Sequence, residues 1–316
     1  MYKNRSIVVV VPAYNEELLI TRVIDTMPAF VDRIVIVDDV SRDATCGRVL
    51  AARERDQRVE LVRHAVNGGV GKAIVTGYQW MLKNGGDIAV VMAGDAQMDP
   101  ADLPALLDKV IDGGVDYAKG NRLFTGEAWH MIPHVRYIGN ATLSFLTKIA
   151  SGYWHVADSQ TGYTAATRAI LARIPLDDLY PRYGFPNHIL VHLNIAAAKV
   201  ADVPVKPVYN IGEKSGIRLR KVIPRMSWLL LKSFFYRLGA RYVIRDFHPL
   251  VLFYLFGFGL LLIDIPLIAR LIYLFAETGQ IYKINFLTVV FLAIMAAQFI
   301  LFAMWFDMDY NKELKR

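Results

Sequence analysis

Residues Ile284–Phe306 form a long apolar run without one charged side chain. As a helix the run spans ~34 Å, enough for the hydrocarbon core of a bilayer. Lipid offers backbone groups no partner, so a lone run of this kind must close its own hydrogen bonds as a helix. A second stretch, Leu250–Phe275, precedes it and is interrupted by Asp264, Pro266 and Arg270. It is apolar all round over most of its length, unlike a helix that docks by one stripe. The chain is therefore expected to carry two membrane spans joined by a short loop, residues 277–283. Asp264 is costly in lipid and is expected to make a polar contact near the far surface or between protomers, with a headgroup contact as the functional alternative.

The segment before these spans is basic. From Lys214 to Arg245 there are nine Lys or Arg residues and no Asp or Glu, against a net charge of +7 for the whole chain. The basicity is thus a local belt. Nucleic acid would suit such a belt, but apolar stretches begin directly after it. Anionic lipid headgroups are the simpler partner, and no nucleic acid is expected. Trp228, Leu229, Leu230, Leu231, Phe234, Phe235 and Tyr236 interleave with the basic residues, as in helices lying in the interface with Lys and Arg snorkelling outward. The position of the belt puts the part before it, and the tail after the second span, in the cytoplasm. The one cysteine, Cys46, fits a reducing compartment. Met1–Ser6 leads straight into a strand-like run, so no signal peptide is expected.

The first part of the chain alternates two periods. Strands are expected at Ser6–Val11, Arg33–Val37, Val59–Arg63 and Ile88–Ala93. Helices are expected at Glu16–Met27 (capped by Asn15), Asp43–Arg55 and Gly71–Asn84. Such alternation predicts an α/β fold with a mainly parallel sheet covered by helices on both faces. The run Ile7-Val8-Val9-Val10-Val11 is continuous, as buried parallel strands are. Residues 101–207 read as less regular, with helices at Asp102–Ile111, Val135–Ile149 and His188–Ala198 and a strand at Val200–Val205.

Three polar loops follow strands and should share the edge where open α/β sheets bind ligands. They are Pro12-Ala13-Tyr14-Asn15-Glu16, Asp38-Asp39-Val40-Ser41 and Gly94-Asp95-Ala96-Gln97. Oxygen ligands such as Asp95 and Gln97 suit Mg²⁺ or Mn²⁺. Carboxylates in the other loops can accept from a base or a ribose, although Asp38, Asp39 and Ser41 could also form only an Asx turn. Asn67-Gly68-Gly69-Val70-Gly71-Lys72 looks like a phosphate loop opening a helix, but departs from Walker A at Val66 and Ala73.

These motifs, with Gly120-Asn121-Arg122 and Asp158-Ser159-Gln160-Thr161-Gly162-Tyr163, resemble inverting glycosyltransferases of family 2 with a GT-A (Rossmann-like) fold. Among them the chain is most similar to polyprenyl-phosphate hexosyltransferases, such as dolichol-phosphate mannose synthases and bacterial undecaprenyl-phosphate glucosyltransferases. The resemblance implies that Pro12, Tyr14, Glu16, Asp39, Lys72 and Asp95 hold the nucleotide. It implies a metal, Mg²⁺ or Mn²⁺, on Asp95 and Gln97. Arg122, Arg136 and Asn140 would grip the acceptor phosphate, with Asp95, Arg122 and Arg136 as the catalytic set. Lys214, Ser215 and Arg218 would belong to a loop near the diphosphate, and Asp158, Gln160 and His188 to the sugar pocket. Implied partners are a nucleotide-sugar (a UDP-sugar favoured, GDP-mannose the alternative), a polyprenyl phosphate, anionic lipids and further copies of the chain, up to a tetramer.

Departures from the family pattern are Ala93 for the first Asp of an Asp-x-Asp motif, Val40 for a Gly, and Asn140 for a Ser. No base stands where saccharide-acceptor relatives place an Asp; the chain reads Gly184-Phe185-Pro186-Asn187-His188. A phosphate acceptor, already an anion at pH 7, needs none. Transfer to a saccharide, or a degenerate nucleotide-sugar-binding scaffold, are the alternatives. The expected organisation is a catalytic domain over 1–212, basic and interfacial helices over 213–247, and an anchor over 248–316.

Overall fold

The computed structural model describes residues 1–124, 134–206, 208 and 219–315, without the side chains of 134–138 and 219–222. The chain divides into two compact units, Met1–Phe234 with Glu313–Arg316, and Phe235–Lys312.

The first unit is built on seven strands: β1 (Ile7–Ala13), β2 (Arg33–Asp38), β3 (Val59–Arg63), β4 (Ile88–Val91), β5 (Tyr117–Asn121), β6 (Thr164–Thr167) and β7 (Val200–Pro204). Between them run α1 (Ile20–Asp25), α2 (Thr45–Arg55), α3 (Val70–Asn84), α4 (Leu103–Ile111), α5 (His134–Ser151), α6 (Arg168–Arg173) and α7 (Phe185–Ile195). The sheet order is β3-β2-β1-β4-β6-β5-β7. Only β6 is antiparallel, to both β4 and β5. Two reversals cancel, so β5 runs in the direction of β4. The C-terminal ends of β1, β2, β4 and β5 and the start of β6 therefore share one edge.

Alternate residues of β1 enter opposite cores. Ile7, Val9 and Val11 pack on one face, Val8 and Val10 on the other. With both faces covered, every β1 residue is buried, which explains its unbroken apolar run. α3 lies close on this sheet: a Cβ on Gly77 would come 2.1 Å from Val10 Cγ1.

The expected α/β sheet is present, with three differences. α1 begins at Ile20, not Glu16, and Asn15 is not its cap. Asn15 has φ +58° and is bonded instead to the loop after β2. The stretch read as irregular contains β5 and β6. Thr-Ala-Ala-Thr is too small and Tyr-Ala-Lys-Gly-Asn too polar to announce a core strand, yet β5 is buried throughout. The helix expected from His188 begins at Phe185, where Pro186 fits its first turn.

α8 (Leu219–Gly239) starts in the first unit and ends in the second, followed by a π-helical turn over Ala240–Arg245. Its face carrying Trp228 and Leu231 is exposed, as are Arg225 and Lys232. Two members of the basic belt are not headgroup-facing, however. Arg237 is fully buried and Arg241 is 7% exposed. Arg237 Nη1 and Nη2 donate to Asp307 Oδ1 and Oδ2 at 2.8 and 3.0 Å, and Tyr242 and Asn311 also donate to Asp307. The belt holds no acid of its own, but Arg237 finds one seventy positions later.

The second unit is otherwise a pair of helices, α9 (Leu250–Thr278) and α10 (Lys283–Tyr310). Both are long and apolar enough to cross a membrane, and only 17% and 11% of their most apolar stretches are buried. Gly257 admits Ile300 of α10 closely; a Cβ there would meet it at 2.7 Å. Asp264 faces inward at 1% exposure, and neither carboxylate oxygen has a hydrogen-bond partner among the described residues. After α10 the chain rejoins the first unit. Leu314 is buried in a core of the sheet, and Lys315 pairs in parallel with Val200 on edge strand β7.

Candidate active site

The loops after β1 and β2 are tied together at the shared edge. Asn15 N–H donates to Ser41 Oγ at 2.9 Å, and Asn15 Oδ1 accepts from Arg42 N–H at 2.8 Å. Glu16 N–H donates to Thr45 Oγ1 at 2.8 Å. Pro12 is inside β1 and its carbonyl accepts from Gly94 N–H, which joins the loop after β4 to the group. Tyr14 projects, 46% exposed. Ser41 N–H turns back on Asp38, and the intervening Val40 sits at φ +66°. A β-branched residue there is strained; the turn keeps the left-handed shape that glycine would favour.

Asp39 is engaged within the protein. Its Oδ1 accepts from Gly68 N–H at 2.8 Å and its Oδ2 from Gly69 N–H at 2.7 Å. His64 Nδ1 lies 2.8 Å from Oδ1, with His64 Nε2 on Thr76 Oγ1. Asn67 Nδ2 donates to the Asp39 carbonyl. Gly69, at φ +90°, makes the turn that presents these amides. The loop that looks phosphate-binding thus directs two of its N–H groups to a carboxylate of its own chain. Lys72 Nζ lies 3.5 Å from Asp177, and Lys72 N–H donates to Pro181 carbonyl.

After β4 the backbone turns sharply at Ala96, φ +55°, where Gln97 N–H donates to Asp95 Oδ1 at 3.1 Å. This Asx turn holds Asp95 on the edge, near enough for its charge to act on Glu16, with Gln97 two residues on. Burial, then the nearby Asp95 and Asp43 carboxylates, push the Glu16 carboxyl up to about 7. Ala93 adds no oxygen donor to this group.

Arg122 follows β5 and reaches the same edge. Its Nε donates to Asp158 Oδ2 at 2.8 Å and its Nη2 to Oδ1 at 3.2 Å. Burial opposes the Asp158 charge, but the Arg122 guanidinium and then Lys119 outweigh it and hold the carboxyl below its usual range. Gln160 N–H also donates to Asp158, and Gln160 Nε2 donates to Asn187 Oδ1 at 2.7 Å. Thr147 of α5 donates to the same Asn187 oxygen. His188 does not point to base chemistry. Its Nδ1 accepts from Tyr180 N–H at 3.1 Å, and burial, then His192 and Lys232, push it down to about 4.

The structure therefore brings together Pro12, Tyr14, Glu16, Asp95 and Gln97, and separately Arg122, Asp158 and Gln160, along one edge. Asn140 is half-buried on α5. Arg136 lies on the same helix, its side chain outside the described residues, as are Lys214, Ser215 and Arg218 altogether. Sequence reasoning misses Lys119, Asp202 and Asn187, which surround the Arg122–Asp158 pair. The sequence carried no signal for them, because the strand that buries Lys119 is itself too polar to be read as one.

Residues 8–174 match the family described as Glycosyl transferase family 2. A UDP-N-acetylglucosamine–dolichyl-phosphate N-acetylglucosaminyltransferase of Methanococcus voltae is 29% identical over 66% of this chain and 87% of that protein. A polyprenol monophosphomannose synthase of Mycolicibacterium smegmatis is 32% identical over 69% of this chain and 84% of its own. Glucosyl-3-phosphoglycerate synthase of Mycobacterium tuberculosis, solved with Mn²⁺, UDP and glucosyl-3-phosphoglycerate, shares the fold. Its TM-score is 0.53 at 23% identity, over 75% of this chain and 81% of that one. The mixed sheet with its shared polar edge is a GT-A-like fold, and the chain is a glycosyltransferase that belongs to family 2.

Proposed function

We propose that this enzyme transfers a hexose from a nucleotide-sugar to the phosphate of a polyprenyl lipid, at the cytoplasmic face of a membrane that α9 and α10 cross. The observation that carries the reading is Arg122, a guanidinium fixed by Asp158 on the same sheet edge as Asp95. Its neighbourhood offers the acceptor a cation, while His188 is neutral and spent on Tyr180. The relatives from M. voltae and M. smegmatis, named for dolichyl-phosphate and polyprenol acceptors, support it. The former also favours a UDP-sugar donor over GDP-mannose.

A phosphate monoester has its second pKa near ~6, so it arrives as an anion and needs no deprotonation. Arg122 and Arg136 hold it in line with the anomeric carbon, and attack there inverts the centre. Tyr14 and the loops after β1 and β2 seat the nucleotide. Asp95 and Gln97 would supply hard oxygen donors suited to Mg²⁺ or Mn²⁺, with the Glu16 carboxyl near Asp95, although among the described residues no cluster of three His, Cys, Asp or Glu forms there. Such an ion, when bound, would neutralise charge on the departing nucleoside diphosphate. Residues 313–315 lie in the same compact unit as the sheet, which supports a hairpin with both ends on one side of the membrane.

The test is transfer of radiolabel from UDP- and GDP-sugars to undecaprenyl or dolichyl phosphate in detergent, with and without Mn²⁺. Label should move into the organic phase only with both lipid phosphate and metal. Label passing to a saccharide with no need of the lipid would refute the reading.

A further inference from the structure

We infer that Lys119 is a positioning residue for Arg122, a buried second cation that holds the acceptor-phosphate grip in place and in charge. The inference rests on the proposed role of Arg122 at the acceptor phosphate.

Lys119 is central in β5 and wholly buried. An ammonium ion taken from water costs several kcal/mol unless it is paired and bonded. Among the described residues its ammonium makes one hydrogen bond, from Nζ to the Thr161 carbonyl at 2.5 Å, and no direct ion pair. Packing alone would be better served by a methionine of similar length. What Lys119 does have is two carboxylates facing it, Asp158 and Asp202, and Arg122 beyond. Burial pulls its pKa down to about 8 while those two carboxylates hold it up, so it is mostly charged at neutral pH.

The geometry ties this charge to Arg122 from three sides. Thr161, which Lys119 grips, is in the loop that supplies Asp158 to the guanidinium. Asp202 Oδ2 accepts from Ala157 N–H at 2.7 Å, next to Asp158, and from Asn121 Nδ2 at 3.1 Å, next to Arg122. Asn121 Oδ1 in turn accepts from Leu123 N–H, fixing the turn that carries Arg122. Buried Lys119 and Asp158 and half-buried Arg122 and Asp202 thus form a charge-balanced set of two cations and two carboxylates. Without Lys119 the set is net negative under an arginine whose task is to attract an anion.

The experiment compares Lys119→Met, the charge-balanced double variant Lys119→Met with Asp202→Asn, and Arg122→Lys. Melting temperature and KM for donor and for polyprenyl phosphate are read for each; KM is independent of the fraction of enzyme folded. The double variant should recover stability lost by Lys119→Met, because the buried charge is balanced again. Lys119→Met should raise acceptor KM by about tenfold with donor KM unchanged, the order expected from losing one nearby charge at an effective dielectric near 20, and the double variant should bring acceptor KM back toward wild type. A Lys119→Met enzyme with wild-type acceptor KM, or with both KM values raised alike, or a double variant that recovers stability but not acceptor KM, overturns the inference and leaves the Arg122 reading standing. If Arg122→Lys leaves acceptor KM unchanged, the Arg122 reading falls and this inference with it.

Discussion

Asp39→Asn separates two roles that a carboxylate at this edge could have. In the structure Asp39 is 3% exposed and three donors converge on its side chain. An asparagine keeps one acceptor oxygen. Its amide must either face Gly69 N–H, donor against donor, or face Gly68 N–H and His64 together. One charge-assisted bond is lost outright, worth about 1.5–3 kcal/mol, and the bonds that remain lose their charge. A total near 2–3 kcal/mol corresponds to a fall of about 5–10 °C in melting temperature for a unit of this size. The assay is thermal melting of the ligand-free enzyme in detergent by tryptophan fluorescence, paired with hydrogen exchange at Gly68 and Gly69. Melting should fall and both amides should lose protection before any nucleotide is added. If Asp39 serves only as a nucleotide ligand, ligand-free melting will stay close to wild type and only nucleotide affinity will drop. That result would refute the anchoring argument.

Val40→Gly should raise stability by about 0.5–1 kcal/mol, since the left-handed cost of ~1–2 kcal/mol at φ +66° exceeds the added chain entropy of glycine; chemical denaturation reads it. His188 has a folded pKa depressed to about 4, so its unfolded form binds the extra proton between that value and ~6.5, and stability falls as pH falls through this window. His188→Asn, which keeps an acceptor for Tyr180 N–H, should remove roughly 3 kcal/mol of that acid sensitivity in melting curves at pH 4 and 7. Asp307→Asn strands the buried Arg237 and should cost about 3–5 kcal/mol, and Arg237→Met with Asp307→Leu should restore most of it; chemical denaturation followed by circular dichroism reports both.

What the sequence made legible follows from burial pattern. Strands β1 to β4 announce themselves because buried parallel strands are continuous in apolar residues, and their loops then had to share an edge. β5 and β6 stayed hidden because their burial is achieved by small or polar residues, and the antiparallel turn of β6 breaks the alternation that made the rest readable. Asp95 and Gln97 were legible as oxygen donors after a strand. Asp39 was read as a ligand for nucleotide; what the sequence could not show is that its side chain is also held by backbone amides, which carry no residue signature. The same holds for the basic belt. Charge runs show where cations are dense, not which of them meets a distant acid, and Arg237 meets Asp307.

The parallel pairing of Lys315 with Val200 has a consequence for biosynthesis. Leu314 and Lys315 are translated after both apolar helices, yet they complete a core and an edge of the sheet that was synthesised long before. Until the second helix has left the ribosome, β7 presents an unpaired edge at that position, a surface on which other strands can add. Closing it late makes this contact wait until both apolar helices have been synthesised. A chain stalled between the two helices would carry the sheet with Leu314 missing from its core and Val200 unpaired at that position.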